Sequence, residues 1–121
     1  MILGLRTALY PAPDLAAAKA WYATVLGIEP YFDQPFYVGF TVGGFELGLV
    51  PGASPGDAGA QPLWGVEGIG CEIDRLLALG ATLLDPVTDV GEGIRVAAVR
   101  DPFGNRFGLI ENPHFDPSAV R

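Results

Sequence analysis

The chain of 121 residues contains the same pattern of helix-flanking residues twice, and this internal repeat is the feature that most limits its fold. The pair Leu-Gly follows a helical pattern at Leu26-Gly27 and again at Leu79-Gly80, 53 residues later. The same spacing separates Asp14 and Glu67, the acidic residues that precede the two patterns. A spacing of this size is typical of a repeated supersecondary unit. The sequence therefore predicts two copies of one unit.

The first copy begins with a predicted strand over residues 3–9 and continues into a helix. Apolar residues near the 3.6-residue period indicate this helix: Leu15, Ala18, Tyr22, Val25 and Leu26. Asp14 can cap its first turn, and Gly27 is a natural end to its last turn. An extended piece over residues 28–32 follows. A hairpin then joins strands 36–42 and 45–50 through Gly43-Gly44.

The second copy repeats this order. A strand is predicted over residues 63–66 and a helix over 68–79, although Gly70 weakens the helix. The apolar stripe of this helix consists of Ile69, Ile73, Leu76 and Leu77. The remaining predicted pieces are an extended segment over 81–84, strands 94–99 and 106–111, and the turn 101–105, in which the Asp101 carboxylate bonds backbone amides.

Both copies thus have the order βαβββ, and the chain is predicted to be one α+β domain over residues 1–121. Its half-units are residues 1–50 and 63–113, and the Gly- and Pro-rich stretch 51–62 is the linker. One helix can cover one face of a small sheet only. We therefore expect the open faces of the two duplicated units to curl toward each other and to form a cleft.

Strand alternation predicts which side chains point to that cleft. Phe45, Leu47 and Leu49 form an apolar set suited to lie under the helix, so Glu46 and Gly48 point the other way. In the last strand, Phe107 and Leu109 oppose residues 106, 108 and 110 in the same manner. Glu46 is then either a solvated carboxylate on an edge strand or a carboxylate inside a pocket.

Charge and cysteine content limit the classes of partner and the cellular location that we expect. Asp and Glu number 14 against 7 Lys and Arg, and without a basic stripe we expect neither nucleic acid nor an anionic membrane as a partner. No apolar stretch is long enough to span a bilayer, and no signal peptide is evident. Cys71 is the single cysteine and is predicted to be an inert packed thiol, so a cytoplasmic location is expected.

Two stretches resemble the glyoxalase/bleomycin-resistance/dioxygenase group, also called the vicinal oxygen chelate superfamily. The first runs from Asp14-Leu15 through Trp21-Tyr22 to Leu26-Gly27, and the second is Asp101-Pro102-Phe103-Gly104-Asn105 before the closing strand. Together with the duplicated βαβββ order, the resemblance covers nearly the whole chain. It implies the fold of this superfamily, whose enzymes usually hold a divalent metal with four inward-facing side chains.

The resemblance also places the four ligand positions of the family on this sequence. They fall on Thr7, Glu46, Gln61 and Gly108, of which only Glu46 matches the usual ligand types. A hydroxyl, an amide and a glycine are poor partners for a transition metal. His114, the one histidine, lies beyond the last strand and at none of these positions. We therefore expect no metal and no other cofactor.

Two functions remain open at this point. The first is a metal-free protein that binds a small organic molecule in its cleft, lined by the four residues above and by Phe36, Tyr37, Phe40, Trp64 and Phe103. The second is a glyoxalase-like enzyme (a lyase, an isomerase or a dioxygenase) with a divergent site. In that case Glu46 is the catalytic residue, a general base whose pKa is raised by an apolar cleft.

A homodimer is expected as well. Two one-sided units leave sheet edges and apolar surface that a second copy can cover, and the resemblance implies that clefts are often shared between subunits. Phe115, close to the end of the chain, is an apolar residue that needs a surface to pack on.

Overall fold

The computed structural model describes residues 1, 6–52, 54–56 and 61–120, and the chain divides into two compact units, Met1–Gly56 and Asp57–Arg121. Within the described residues, each unit contains four strands and one α-helix in the order βαβββ. The division falls inside the predicted linker 51–62, of which residues 53 and 57–60 lie outside the described part. The α+β fold and its duplicated unit are confirmed.

The first unit is a mixed four-stranded sheet with one helix packed against it. Its elements are β1 (Thr7–Pro11), α1 (Leu15–Leu26), β2 (Phe32–Gln34), β3 (Tyr37–Val42) and β4 (Phe45–Val50). The strand order is β1-β4-β3-β2, with β1 parallel to β4 and the other pairs antiparallel.

Two strand boundaries differ from the sequence prediction. The first strand starts at Thr7, and residues 3–5 of the predicted strand lie outside the described residues. The extended piece predicted over 28–32 is displaced to Phe32–Gln34. Pro30 has no N–H to give to a strand ladder, and pairing starts with the Tyr31 N–H, which donates to the Gly39 carbonyl at 2.9 Å.

Helix α1 begins and ends where its capping residues predict. The Asp14 carboxylate accepts the backbone N–H of Ala17 at 3.1 Å, and Gly27 has the left-handed φ of 69° that ends the helix. Tyr22 is fully buried, and its ring meets that of Tyr10 on β1 with centroids 6.0 Å apart. This contact shows which face of the sheet α1 covers.

The turn between β3 and β4 is the two-residue turn that Gly43-Gly44 predicts. Both glycines have positive φ, 58° and 89°, which is the requirement of a type I′ turn. Val42 therefore pairs directly with Phe45. This register fixes every cross-strand neighbour of β4.

The second unit repeats the plan. Its elements are β5 (Leu63–Gly65), α2 (Ile69–Ala78), β6 (Thr82–Gly91), β7 (Ile94–Arg100) and β8 (Arg106–Glu111). The strand order is β5-β8-β7-β6, again with the first strand parallel to the last. Neither α1 nor α2, the α-helices among the described residues, is long and apolar enough to cross a membrane.

Strand β6 is the largest departure from the predicted elements. It extends over ten residues instead of residues 81–84, and its pairing with β7 shifts register three times. The strand lies at the sheet edge, and Pro86 falls within the register shift between Asp85 and Thr88, where it has no partner residue in the ladder. An exposed edge strand has no buried alternating face, so its sequence carries no period-2 signal.

The N-terminus of α2 is capped from a distant strand. Gly68 occupies the cap position, and it has no side chain to offer. The Glu111 carboxylate on β8 accepts the Ile69 N–H at 2.9 Å instead, while Arg95 bonds its second oxygen. Ile69, Ile73 and Leu76 of the predicted stripe are buried, but Leu77 is 38% exposed. The buried stripe of α2 is thus narrower than predicted.

The turn before β8 is organised by one buried carboxylate. Asp101 Oδ1 accepts the backbone N–H groups of Phe103 at 2.9 Å and of Asn105 at 2.8 Å. The Asp101 N–H donates to the Asn105 carbonyl, which closes the turn. The predicted role of Asp101 is confirmed.

We expect Asp101→Ala to lower the free energy of unfolding by about 2–3 kcal/mol, because two buried N–H groups lose a charged acceptor. Urea denaturation measures this change. Asp101→Asn keeps an Oδ1 acceptor without the charge and should lose less. Equal stability of the Asp101→Ala variant and the parent chain would contradict this role for the carboxylate.

Candidate functional site

The two faces of the first sheet differ in character. Leu47 and Leu49 are fully buried on the face that carries Tyr10 and α1, and Glu46 and Gly48 alternate onto the other side, called the open face below. Phe45 does not follow Leu47 into the core, contrary to the prediction. It is 37% exposed, because it begins β4 directly after the Gly43-Gly44 turn.

Glu46 lies at the centre of a hydroxyl cluster on the open face. Its Oε1 accepts the Thr7 hydroxyl at 2.9 Å, and its Oε2 accepts the Tyr31 hydroxyl. Tyr37 also donates a hydrogen bond to this carboxylate. The parallel pairing of β1 with β4 sets Thr7 directly opposite Glu46. Three neutral O–H groups thus converge on one carboxylate.

Two glycines make room for this cluster. Gly39 on β3 and Gly48 on β4 are direct cross-strand partners. A Cβ at Gly39 would lie 2.8 Å from Glu46 Oε2 and 2.9 Å from a Tyr31 ring carbon, and one at Gly48 would lie 2.7 Å from Tyr37 Cζ. Side chains at these positions would displace the tyrosines. The glycines therefore form the floor on which Tyr31 and Tyr37 lie.

The hydroxyls change the acidity of the whole cluster. The Tyr31 hydrogen bond is the largest cause that lowers the pKa of Glu46, and the Thr7 and Tyr37 hydrogen bonds act in the same direction. Burial, and next its bond to Glu46, raises the pKa of Tyr37 to about 12. The pKa of Tyr31 is raised as well, chiefly by the same carboxylate. At neutral pH the cluster holds one ionised carboxylate and two neutral phenols.

This result corrects one expectation. The enzyme hypothesis required an apolar cleft to raise the pKa of Glu46, but the hydroxyl donors stabilise the ionised form and lower it. Glu46 is consequently a weak base and a persistent negative charge. The lowered pKa of Glu46 disfavours a general-base role for this residue.

Aromatic rings border the hydroxyl cluster. The Phe32 ring lies 5.9 Å from Tyr37, 6.0 Å from Phe36 and 6.4 Å from Tyr31, measured between centroids. Phe36 is 67% exposed and Tyr31 is 62% exposed. Such a group of exposed rings beside a fixed charge is typical of a ligand-contact surface.

Several residues predicted to line the site lie elsewhere. Phe40 pairs with Leu47 and is fully buried, so it belongs to the core under α1. Trp64 pairs with Leu109 and stacks on Phe107 with centroids 5.2 Å apart, which places it on the helix-covered face of the second sheet. Both predictions were wrong because they chose aromatic residues without knowing the strand register, which decides the face of the sheet to which each side chain points.

The other predicted residues are distributed over both units. Thr7, Glu46 and Tyr37 come together on the open face, with Phe36 in the β2–β3 turn next to Phe32 and not in the predicted strand. In the second unit, Gln61 is exposed just before β5, and Phe103 lies half-buried in the Asp101 turn. Gly108 is buried on β8.

The residues at the family's ligand positions do not fit a transition metal. The Thr7 hydroxyl hydrogen and both Glu46 oxygens are already engaged in hydrogen bonds. At Gly108 a Cβ would lie 2.7 Å from the Pro62 carbonyl oxygen and 2.6 Å from Leu63 Cδ2, so neighbouring chain occupies the space of a ligand side chain. Among the described residues, no three His, Cys, Asp or Glu side chains are grouped to hold an ion.

His114 and Cys71 lie in the second unit. The His114 Nε2–H donates to the Glu92 carbonyl at 2.8 Å, in agreement with a histidine that packs the tail. Cys71 is free and exposed on α2, and the prediction that it is packed was wrong. It falls on the uncovered side of the narrow stripe that starts at Ile69.

Sequence reasoning missed Tyr31, Gly39 and Phe32. Tyr31 precedes its strand and lies 15 residues from Glu46 along the chain, so no local spacing connects the two. The one available signal was the pairing of Gly39 with Gly48, which follows from counting outward from the Gly43-Gly44 turn. Facing glycines in adjacent strands indicate that a side chain lies over them.

The comparisons with known proteins agree with one another. The family model described as Glyoxalase/Bleomycin resistance protein/Dioxygenase superfamily matches residues 4–109. Curated relatives named "Putative glyoxylase CFP32", from Mycobacterium bovis and Mycobacterium tuberculosis, are 27% identical over 119 residues and 88% of this chain. The chain spans about half the length (45%) of these relatives.

Solved structures of similar fold include a member of the same superfamily from Sphaerobacter thermophilus. It has a TM-score of 0.76 and 25% identity, covering 93% of this chain and 99% of that one. A lactoylglutathione lyase from Agrobacterium tumefaciens has a TM-score of 0.70 and 24% identity, covering 93% of this chain and 97% of that one. The latter likeness concerns the fold alone.

We expect Tyr31→Phe to raise the pKa of Glu46, because it removes the largest cause that lowers it. Carboxyl carbon NMR of the protein, titrated from pH 7 downward, measures this value. Thr7→Val removes a lesser donor and should raise the pKa by a smaller amount. A Glu46 pKa that is the same in the Tyr31→Phe variant as in the parent chain would contradict the cluster as described.

Proposed function

Because the chain belongs to the glyoxalase/bleomycin resistance protein/dioxygenase superfamily, we propose that it binds a small organic molecule on the open face of its first sheet, without the metal ion typical of the family's enzymes. The observation that carries this proposal is the convergence of Thr7, Tyr31 and Tyr37 on Glu46. These hydroxyls satisfy the carboxylate and fix its position.

The surroundings of Glu46 support a binding role. Small-molecule sites combine apolar contact area with a few fixed polar groups. Here the exposed rings of Tyr31, Phe32 and Phe36 offer the contact area, and Glu46 offers the polar group. Leu9, exposed on β1 opposite Gly48, extends the apolar surface on the same face.

The groups around Glu46 support a function that needs no metal ion. Transition metals select imidazole, thiolate or several carboxylates, whereas Glu46 is accompanied by hydroxyls whose hydrogens point at it. In this proposal the three hydroxyls take over the stabilisation of the carboxylate that a cation would otherwise provide.

The alternative is a glyoxalase-like enzyme, meaning a lyase, an isomerase or a dioxygenase with a divergent site. The name of the curated mycobacterial relatives, glyoxylase, favours it. The lowered pKa of Glu46 weighs against it, since a proton-abstracting base works best with a pKa near the working pH. Binding without turnover is therefore the preferred proposal.

We expect the protein, purified without chelator, to contain only substoichiometric zinc, nickel, manganese and iron, and to release an organic molecule on denaturation. Elemental analysis and mass spectrometry of the extract measure both. Glu46→Gln, purified in parallel, should carry less of that molecule, while Asp74→Asn, on α2, should carry as much as the parent chain. Stoichiometric metal that is lost in Glu46→Gln would overturn the proposal.

A homodimer in a cytoplasmic setting is part of the same proposal. Phe115 is 61% exposed, so its own chain leaves most of the ring uncovered, and the edge strand β6 exposes Leu83, Val87 and Val90. A second copy related by two-fold symmetry can cover such surfaces. The free, exposed thiol of Cys71 is suited to a reducing compartment.

We expect sedimentation equilibrium at micromolar concentration to give the mass of a dimer, and Phe115→Ala to raise its dissociation constant, because the variant removes apolar contact area. Leu77→Ala removes another exposed apolar side chain, from α2, and serves as the matched control. A monomer mass would refute the dimer. An unchanged dissociation constant would remove Phe115 from it.

A further inference from the structure

The geometry points to a ligand of one chemical class: a protonated amine, which carries a positive charge and N–H donors and is attached to an apolar or aromatic body. This inference rests on the proposed function, because it concerns the same open face around Glu46. Three features support it: the hydroxyl hydrogens already donate to Glu46, the carboxylate keeps its negative charge, and aromatic rings lie beside it.

The hydroxyl hydrogens of the cluster are all engaged with Glu46. The hydroxyls of Thr7, Tyr31 and Tyr37 carry one hydrogen each, and each of the three donates to Glu46. What these groups can still offer to a ligand is lone pairs, on the hydroxyl oxygens and on the carboxylate. The cluster therefore recognises a molecule that donates hydrogen bonds and not one that only accepts them.

Glu46 keeps its negative charge within this cluster. The groups that stabilise Glu46 are neutral hydroxyls, so they orient its negative charge without cancelling it. The chain as a whole has a formal net charge of −7, which adds an attractive potential for cations and repels anions. A carboxylate, a phosphate or another anionic group is thereby disfavoured on this face.

Aromatic rings lie next to this charge. Phe32 lies within 6.4 Å of three other rings, those of Tyr31, Phe36 and Tyr37, and two of these rings belong to residues that bond Glu46. Aromatic faces attract cations at centroid distances up to about 6 Å, and they also stack on an aromatic body. The same side chains can thus contact both parts of an arylalkylamine.

Three probes of one shape test the inference: benzylamine, benzyl alcohol and benzoate. The backbone amides of Gly39 and Gly48, directly under the cluster, report binding as NMR chemical-shift changes at pH 7. We expect benzylamine to bind about tenfold more tightly than benzyl alcohol, in line with a cation that gains both charge and ring contacts. Benzoate should bind more weakly than either.

The variant Glu46→Gln removes the charge and keeps the shape of the side chain. We expect it to bring the affinity for benzylamine close to that for benzyl alcohol, whose own affinity should fall less because the alcohol carries no charge to pair with Glu46. Asp74→Asn changes the net charge of the chain by the same amount and should keep the full preference. The comparison of the three probes on the unaltered chain needs no variant, so the test survives a folding failure of Glu46→Gln.

The outcomes separate this inference from the proposed function. If benzyl alcohol or benzoate binds as tightly as benzylamine, a small-molecule site exists but its preference for amines is refuted. A preference that persists in Glu46→Gln refutes the role of the charge. If none of the probes shifts Gly39 or Gly48, the inference fails. The proposed function is then judged by the molecule released on denaturation, which needs no choice of probe.

Discussion

The parallel pairing of β1 with β4 is the contact on which the site depends. It joins the first and last strands of the unit, and a parallel pair needs a crossover connection, which here contains α1, β2 and β3. The pairing puts Thr7 directly beside Glu46 and gives β4 a central position between two neighbours. Since α1 covers one face of this sheet, the other face is available to polar and aromatic side chains.

The duplicated plan uses two carboxylates in different ways. Glu46 is stabilised by neutral hydroxyls on the open face, and the largest cause of its lowered pKa is Tyr31. The ionised form of Glu111 is stabilised chiefly by Arg95 and by the backbone of Ile69. Its carboxylate caps the N-terminus of α2. Glu111 is therefore paired with a cation, whereas Glu46 is bonded by neutral hydroxyls. The two units share an architecture but surround these carboxylates with different groups.

Local chemistry explains what the sequence could predict. Asp14, Gly27, the Gly43-Gly44 turn and Asp101 act within a few residues of themselves, so their roles are visible in the chain. The site required knowledge of register. A shift of one residue decides whether an aromatic ring faces the core or the open face, which is why Phe40 and Trp64 were misplaced and Tyr31 was overlooked.

The packing at Gly108 restricts the evolutionary routes open to this chain. A substitution to glutamate there would supply the carboxylate that the superfamily's metal enzymes usually place on their last strand. In this chain the new side chain would meet the Pro62 carbonyl and Leu63, so the backbone before β5 would have to move at the same time. A glutamate at this position is therefore not reached by a single substitution alone. The exposed rings of Phe32 and Phe36, in contrast, can be exchanged without moving a buried backbone segment.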